Sequence, residues 1–134
     1  MINFFGNSCS KILRLDLQNF LIIDSDIEKL SVSFINLNHL LLKNAKISDD
    51  CAPYFEKMKS LTSLNLAWCI QIKDFSVLES LITLTSLNLL GCTKIKDFSV
   101  LESLITLTSI DLRSSFPDRI IVQALLDRGV NVLW

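Results

Sequence analysis

Three glycines, one histidine and one tyrosine among 134 residues leave little from which to assemble familiar catalytic motifs. No Gly-x-Gly-x-x-Gly, P-loop or His-Glu-x-x-His occurs, and so few glycines provide no backbone cradle for phosphate. His39 lies between Asn38 and Leu40 in an alternating stretch whose register points it outward. No nucleophile–histidine–acid order can be built around it, so it reads as a surface residue, and no catalysis and no cofactor are expected. Charge of one sign is also missing. Thirteen Lys and Arg against 14 Asp and Glu give a net charge of −1, which excludes a polybasic nucleic-acid surface. Half the residues are hydrophobic, which excludes a disordered chain. No apolar run approaches the roughly 18 residues that a membrane span requires. The start, Met-Ile-Asn-Phe-Phe-Gly-Asn-Ser, has neither a basic segment nor a long apolar one, so no secretory signal is expected and the chain reads as cytoplasmic.

What the sequence does have is one 23-residue unit written twice. Leu61–Thr83 reads LTSLNLAWCIQIKDFSVLESLIT and Leu84–Thr106 reads LTSLNLLGCTKIKDFSVLESLIT. Nineteen of the 23 positions are identical; the differences are Ala67/Leu90, Trp68/Gly91, Ile70/Thr93 and Gln71/Lys94. A third copy begins LTSIDL at Leu107 and then diverges. A fixed period of this length marks a stacked-repeat solenoid. Each unit opens Leu-x-x-Leu-x-Leu-x-x-Cys, whose Leu-x-Leu core alternates as a strand with one buried face requires. The following Phe-Ser-Val-Leu-Glu-Ser-Leu-Ile has the apolar spacing of a short helix. Ser76-x-x-Glu79 and Ser99-x-x-Glu102 have the form of capping boxes. A strand and a short helix in 23 residues cannot bury their own apolar faces, so the copies must stack.

This unit resembles a leucine-rich repeat of the cysteine-containing type, as found in F-box-associated substrate receptors and in protist and bacterial repeat proteins. The resemblance implies an α/β solenoid, a short horseshoe with parallel strands on the concave face and short helices on the convex face. It implies a non-enzymatic module that binds a protein partner, with neither nucleic acid nor membrane as its target. Two narrower roles follow from the resemblance alone: a substrate receptor of a ubiquitin ligase, or a bacterial or protist effector acting on host proteins, in host cytoplasm in the bacterial case.

Taken in order, residues 1–11 read as a partial repeat or cap, with Phe4 and Phe5 over the open end of the core and Cys9 in the turn. Residues 12–36, 37–60, 61–83 and 84–106 are four repeats, and 107–134 a fifth with a C-terminal cap, all in one domain expected to be monomeric. The first repeat turns Ile12, Leu15 and Leu17 inward, with Phe20 at the cysteine position and a third box at Ser25-x-x-Glu28. The second uses Leu37, Leu40 and Leu42, has Ala45 at the cysteine position, and offers Asp49 or Asp50 as a cap before Pro53. In the fifth, Ser114-Ser115-Phe116-Pro117-Asp118 replaces the cysteine turn. A helix over about Asp118–Arg128 follows, with Arg128 facing the negative end of its dipole, Gly129 as C′ residue, and an edge strand from Val130. Cys69 and Cys92 share a repeat position, about 5 Å apart by strand spacing. Side chains pointing the same way are poorly placed for a disulfide. A ladder of buried thiols is expected, which suits a reducing compartment.

The outward positions form columns across the repeats. They are Arg14, His39, Ser63, Ser86, Ser109; then Asp16, Leu41, Asn65, Asn88, Asp111; then Gln18, Lys43, Ala67, Leu90, Arg113; and finally Asn19, Asn44, Trp68, Gly91, Ser114. Most are small and polar. The exception is Leu41, Ala67, Trp68 and Leu90, rimmed by Lys43, Arg113 and Asp111, with Asn65 and Asn88 between. An outward tryptophan beside outward leucines has the composition of an interface hot spot. The alternative is that Trp68 folds over its turn and covers the neighbouring coil. Two of the four differences between the duplicated units fall in these columns.

Overall fold

The computed structural model describes residues 11–134, apart from the side chain of Val77. The expectations for Phe4, Phe5 and Cys9 lie outside the described residues. Among the described residues, six three-residue strands form one open parallel sheet in chain order: β1 (Arg14–Asp16), β2 (His39–Leu41), β3 (Ser63–Asn65), β4 (Ser86–Asn88), β5 (Ser109–Asp111) and β6 (Asn131–Leu133). The register sets Leu15, Leu40, Leu64, Leu87, Ile110 and Val132 in one row. A single residue per strand therefore faces the core, and its two neighbours face out.

Opposite the sheet, each return path carries a short helical element. These are α1 (Asp24–Ser33), a 3-10 turn (Asp49–Cys51) leading into α2 (Ala52–Phe55), a 3-10 turn (Ser76–Ser80), α3 (Val100–Ser103) and α4 (Arg119–Asp127). Between the layers lies one continuous core, in which Leu40, Leu42, Leu64, Leu66, Leu87, Leu89, Phe75 and Phe98 are buried. Successive coils contribute the same residue types at the same height, which is how repeats too small to fold alone share an interior. The chain is a leucine-rich-repeat α/β solenoid in architecture.

Several local expectations require correction. The serines of the supposed capping boxes do not cap. Asp74 and Asp97, two residues earlier, accept from the backbone N–H of Ser76 and Ser99, each at 2.8 Å. Asp97, which accepts from Ser99, is held below the usual carboxylate range by those hydrogen bonds. At α1 the box begins two residues sooner than Ser25-x-x-Glu28 suggests: Asp26 accepts from the N–H of Ile23 at 3.2 Å. Aspartate, with its shorter arm, makes the tight local bond that a loop entering a helix needs. Ser48, not Asp49 or Asp50, caps the Asp49–Cys51 turn. Asp49 instead accepts from Lys73 and Asp74 N–H in the next coil, and Asp24 takes both Ser48 N and Ser48 Oγ at 2.8 Å.

In the first repeat the expected inward set is looser than predicted. Ile12 is 39% exposed and Phe20 62% exposed, while Leu15 and Leu17 are only partly buried against the core. At the other end, Asp118 accepts from Ile120 N–H, and Gly129, with φ +79°, closes α4 as expected. Arg128 differs. Its guanidinium reaches back one coil to the carbonyls of Leu101, Glu102 and Leu104 and so caps α3 rather than its own helix.

Candidate interaction face

The candidate site is built on the turn that leaves each strand. In every coil the backbone N–H four residues past the strand centre's outward partner folds back. Ala45 donates to Leu42 O, Cys69 to Leu66 O, Cys92 to Leu89 O and Ser115 to Leu112 O, at 2.9–3.1 Å. Such a four-residue turn with a left-handed third residue calls for glycine or asparagine at that position. The fourth column supplies that residue throughout: Asn19, Asn44, Trp68, Gly91 and Ser114 have φ of 65°, 66°, 62°, 72° and 60°. Asparagine tolerates this region and glycine is at ease in it, whereas a side chain such as that of Trp68 costs about 1–2 kcal/mol.

The row just past the turn holds the thiols. Cys69 Sγ donates to Leu42 O at 3.4 Å, and Cys92 Sγ to Leu66 O at 3.1 Å, each a carbonyl of the preceding coil. Ser115 Oγ makes the equivalent bond to Leu89 O and also accepts from Cys92 N. The fifth repeat therefore keeps the cysteine function through an oxygen. Cys51, Cys69 and Cys92 are free and buried, and burial pushes them up to about 12, 12 and 11 respectively. They are neutral, poorly nucleophilic groups at ordinary pH.

The second column supports the same turn. Asn65 Oδ1 accepts from Ala67 N at 2.9 Å, Asn88 Oδ1 from Leu90 N at 3.0 Å, and Asp111 Oδ1 from Arg113 N at 3.2 Å. Asp16 does likewise with Gln18 N at 3.1 Å. Leu41 breaks the pattern and brings an apolar side chain to the face. Asp111 is further gripped by its neighbour: Arg113 Nε and Nη2 donate to its two oxygens at 3.0 and 2.8 Å. The Arg113 hydrogen bonds hold its carboxyl below the usual range.

Of the residues expected at the face, Leu41, Lys43, Asn65, Asn88 and Leu90 are half-buried, and Trp68 and Arg113 are exposed. Two require correction. Ala67 is 2% exposed and offers no contact surface, because its short side chain lies between the bulkier Lys43 and Leu90 of the flanking coils in the same column. Asp111 is 8% exposed and committed to Arg113. Trp68 combines both readings of it. Its ring lies over Gly91 of the next coil, so that a Cβ at Gly91 would fall 2.5–2.8 Å from Cε3, Cδ2 and Cζ3, yet the residue remains 42% exposed. The Trp68/Gly91 difference between the duplicated units is thus one packed pair, seat and occupant.

Part of the face carries no mark in the sequence. A shallow depression of about 180 Å³ lies over the last three coils, floored by Ser86, Asn88, Ser109 and Asp111 and bounded by Asn131 and Leu133. The serines were visible as a column, but small size alone did not mark them as a floor. Among the described residues, no helix is long and apolar enough to cross a membrane.

No family model and no curated protein matches the chain. Solved structures do. The crystal structure of an internalin (inlF) from Listeria monocytogenes superposes with a TM-score of 0.72 and 27% identity, over 92% of this chain and 34% of that one. A second, internalin C2 (inlC2) of the same species, gives 0.50 and 22% identity, over 83% of this chain and 44% of that one, and bears on the fold alone. The chain thus spans between a third and a half of the length of the internalins it matches. The written repeat, the stacked coils with one leucine row per strand, and the likeness to the internalin structures together make this chain a leucine-rich-repeat protein.

Proposed function

We propose that the chain is a non-enzymatic protein-binding module and that its partner docks on the strand face around Leu41, Trp68 and Leu90. The observation that carries this reading is Trp68. A bulky residue occupies a left-handed position that every other coil fills with asparagine, glycine or serine, and its ring remains partly open to solvent on a bare glycine seat. Backbone strain of this kind persists where the surrounding structure imposes it and clusters at ligand-contacting positions. Leu41 and Leu90, half-buried in adjacent columns, extend the ring into an apolar centre. Lys43, Asn65, Asn88 and Arg113 form a polar rim, the anatomy of a hot spot with its surround. Likeness to internalins supports an interaction module as the general class. Its partner is a protein, it needs no cofactor, and the buried unpaired thiols support a reducing compartment as its working place.

The test is affinity for a selected protein or peptide binder, measured by calorimetry with Trp68→Ala and Leu90→Ser. A hot spot predicts a loss of at least tenfold for each. Unchanged affinity in both variants, with unchanged far-UV circular dichroism, would place the site elsewhere.

A further inference from the structure

On the strand face the central asparagine carbonyl oxygens and both carboxylates already accept hydrogen bonds from within the chain. Asn65 and Asn88 each spend their carbonyl oxygen on the N–H two residues on, which leaves both Nδ2 groups as outward donors. Asp111 accepts from the backbone, Nε and Nη2 of Arg113, and Asp16 accepts from the backbone and Nε2 of Gln18. Both carboxylates on the face are thus engaged by their own neighbours, Asp111 by the Arg113 cation and Asp16 by the neutral Gln18, which leaves Arg14 and Lys43 against the single charge of Asp16. The hydroxyls of Ser63, Ser86 and Ser109, each able to donate or accept, make no hydrogen bond among the described residues, and neither Lys43 nor Arg14 forms an ion pair there.

We propose that the occupant of this face is an extended, acidic segment of the partner protein. Its carboxylates and backbone carbonyls would accept from the asparagine amides and serine hydroxyls, its negative charge would meet Lys43 and Arg14, and an apolar side chain would rest on Leu41, Leu90 and the Trp68 ring. This rests on the strand-face reading above. Five strands span about 19 Å, which roughly six residues of extended chain cover. A nucleic acid fits less well. It needs a dense row of unpaired cations to release its counterions, and this face has two in a chain of net charge −1.

The 134-residue chain is used to select binders from a displayed library of random 12-residue peptides, and the selected peptides are then measured by fluorescence polarisation. The expected result is at least threefold enrichment of Asp and Glu over the input. Affinity should fall at least tenfold in Lys43→Glu, less in Lys43→Gln, and decline with added salt. Peptides that lose affinity with Trp68→Ala but show no acidic enrichment would overturn this inference and leave the strand-face module standing. Peptides indifferent to Trp68, Lys43 and Leu90 alike, or a selection without any face-dependent binder, would count against both. Equal affinity for a 12-nucleotide single-stranded DNA would overturn the acidic-protein assignment.

Discussion

Replacing Gly91 by alanine tests the Trp68 seat directly. Two costs combine. The position has φ +72°, where a side chain costs about 1–2 kcal/mol. The new methyl group would also fall 2.5 Å from Trp68 Cε3, more than 1 Å inside ordinary carbon contact, so the ring must lift off its support. Overpacking of this kind costs about 1–3 kcal/mol. Gly91→Ala should therefore destabilise by about 2–5 kcal/mol in urea unfolding followed by far-UV circular dichroism. With Trp68→Ala already in place only the backbone cost remains, about 1–2 kcal/mol. The double-mutant cycle should show a coupling of at least about 1 kcal/mol. If the two substitutions add to within about 0.5 kcal/mol, the ring does not rest on Gly91 and the strained-tryptophan argument fails.

Removing one written unit should leave a shorter folded protein, since contacts pass only between adjacent coils. The two deletions should differ, however. Deleting 84–106 sets Trp68 against Ser114, whose Cβ takes the place of the missing one at Gly91, so its midpoint in urea should lie below that of the 61–83 deletion; the reverse order would contradict the seat. Leu66→Ala and Leu89→Ala should each cost about 2–5 kcal/mol, because both side chains are fully buried between coils; a silent substitution would show the register to be wrong. The thiols give a pH signature. An acid whose folded pKa is raised keeps its contribution below the unfolded value, 9.0, and loses it as pH climbs towards about 12 for Cys69 and 11 for Cys92. Stability should fall above pH 9 by up to about 1.4 kcal/mol per unit for each thiol, a slope that Cys69→Ser reduces in pH-dependent urea titrations. A parallel dependence in wild type and variant would refute the buried-thiol ladder. Arg128→Lys should not restore what Arg128→Ala loses, about 1–3 kcal/mol, since one ammonium cannot reach the carbonyls of Leu101, Glu102 and Leu104 together.

The fold was legible because the repeat imposes one period on both the leucines and the outward columns. Ser63, Ser86 and Ser109, and Asn65, Asn88 and Asp111, align in the sheet as the spacing predicted. Less legible was which polar group serves which backbone atom. Ser-x-x-Glu has the letters of a capping box, but Asp74 and Asp97 lie closer to the amides that need an acceptor. The repeated threonines carry no such signal in the sequence, yet Thr62, Thr85 and Thr108 each donate Oγ1 to the carbonyl of the preceding coil, and so stitch one repeat to the next. These bonds run between coils rather than along the chain, so no spacing within a unit reveals them. In the candidate site, the repeat register puts Ala67 in an outward column, but register says nothing about how far a small side chain is covered, and Ala67 is buried. The left-handed column could have been read from Asn19, Asn44 and Gly91; Trp68 in the same column disguised it.

The claim that this solenoid works as a binding module on its strand face is tested most directly by mapping a selected peptide onto the isotopically labelled chain through amide chemical-shift changes. The changes should concentrate in β2 to β5 and in the turns around Trp68 and Gly91. Changes confined to α1, α2 and α4 on the opposite layer would contradict it.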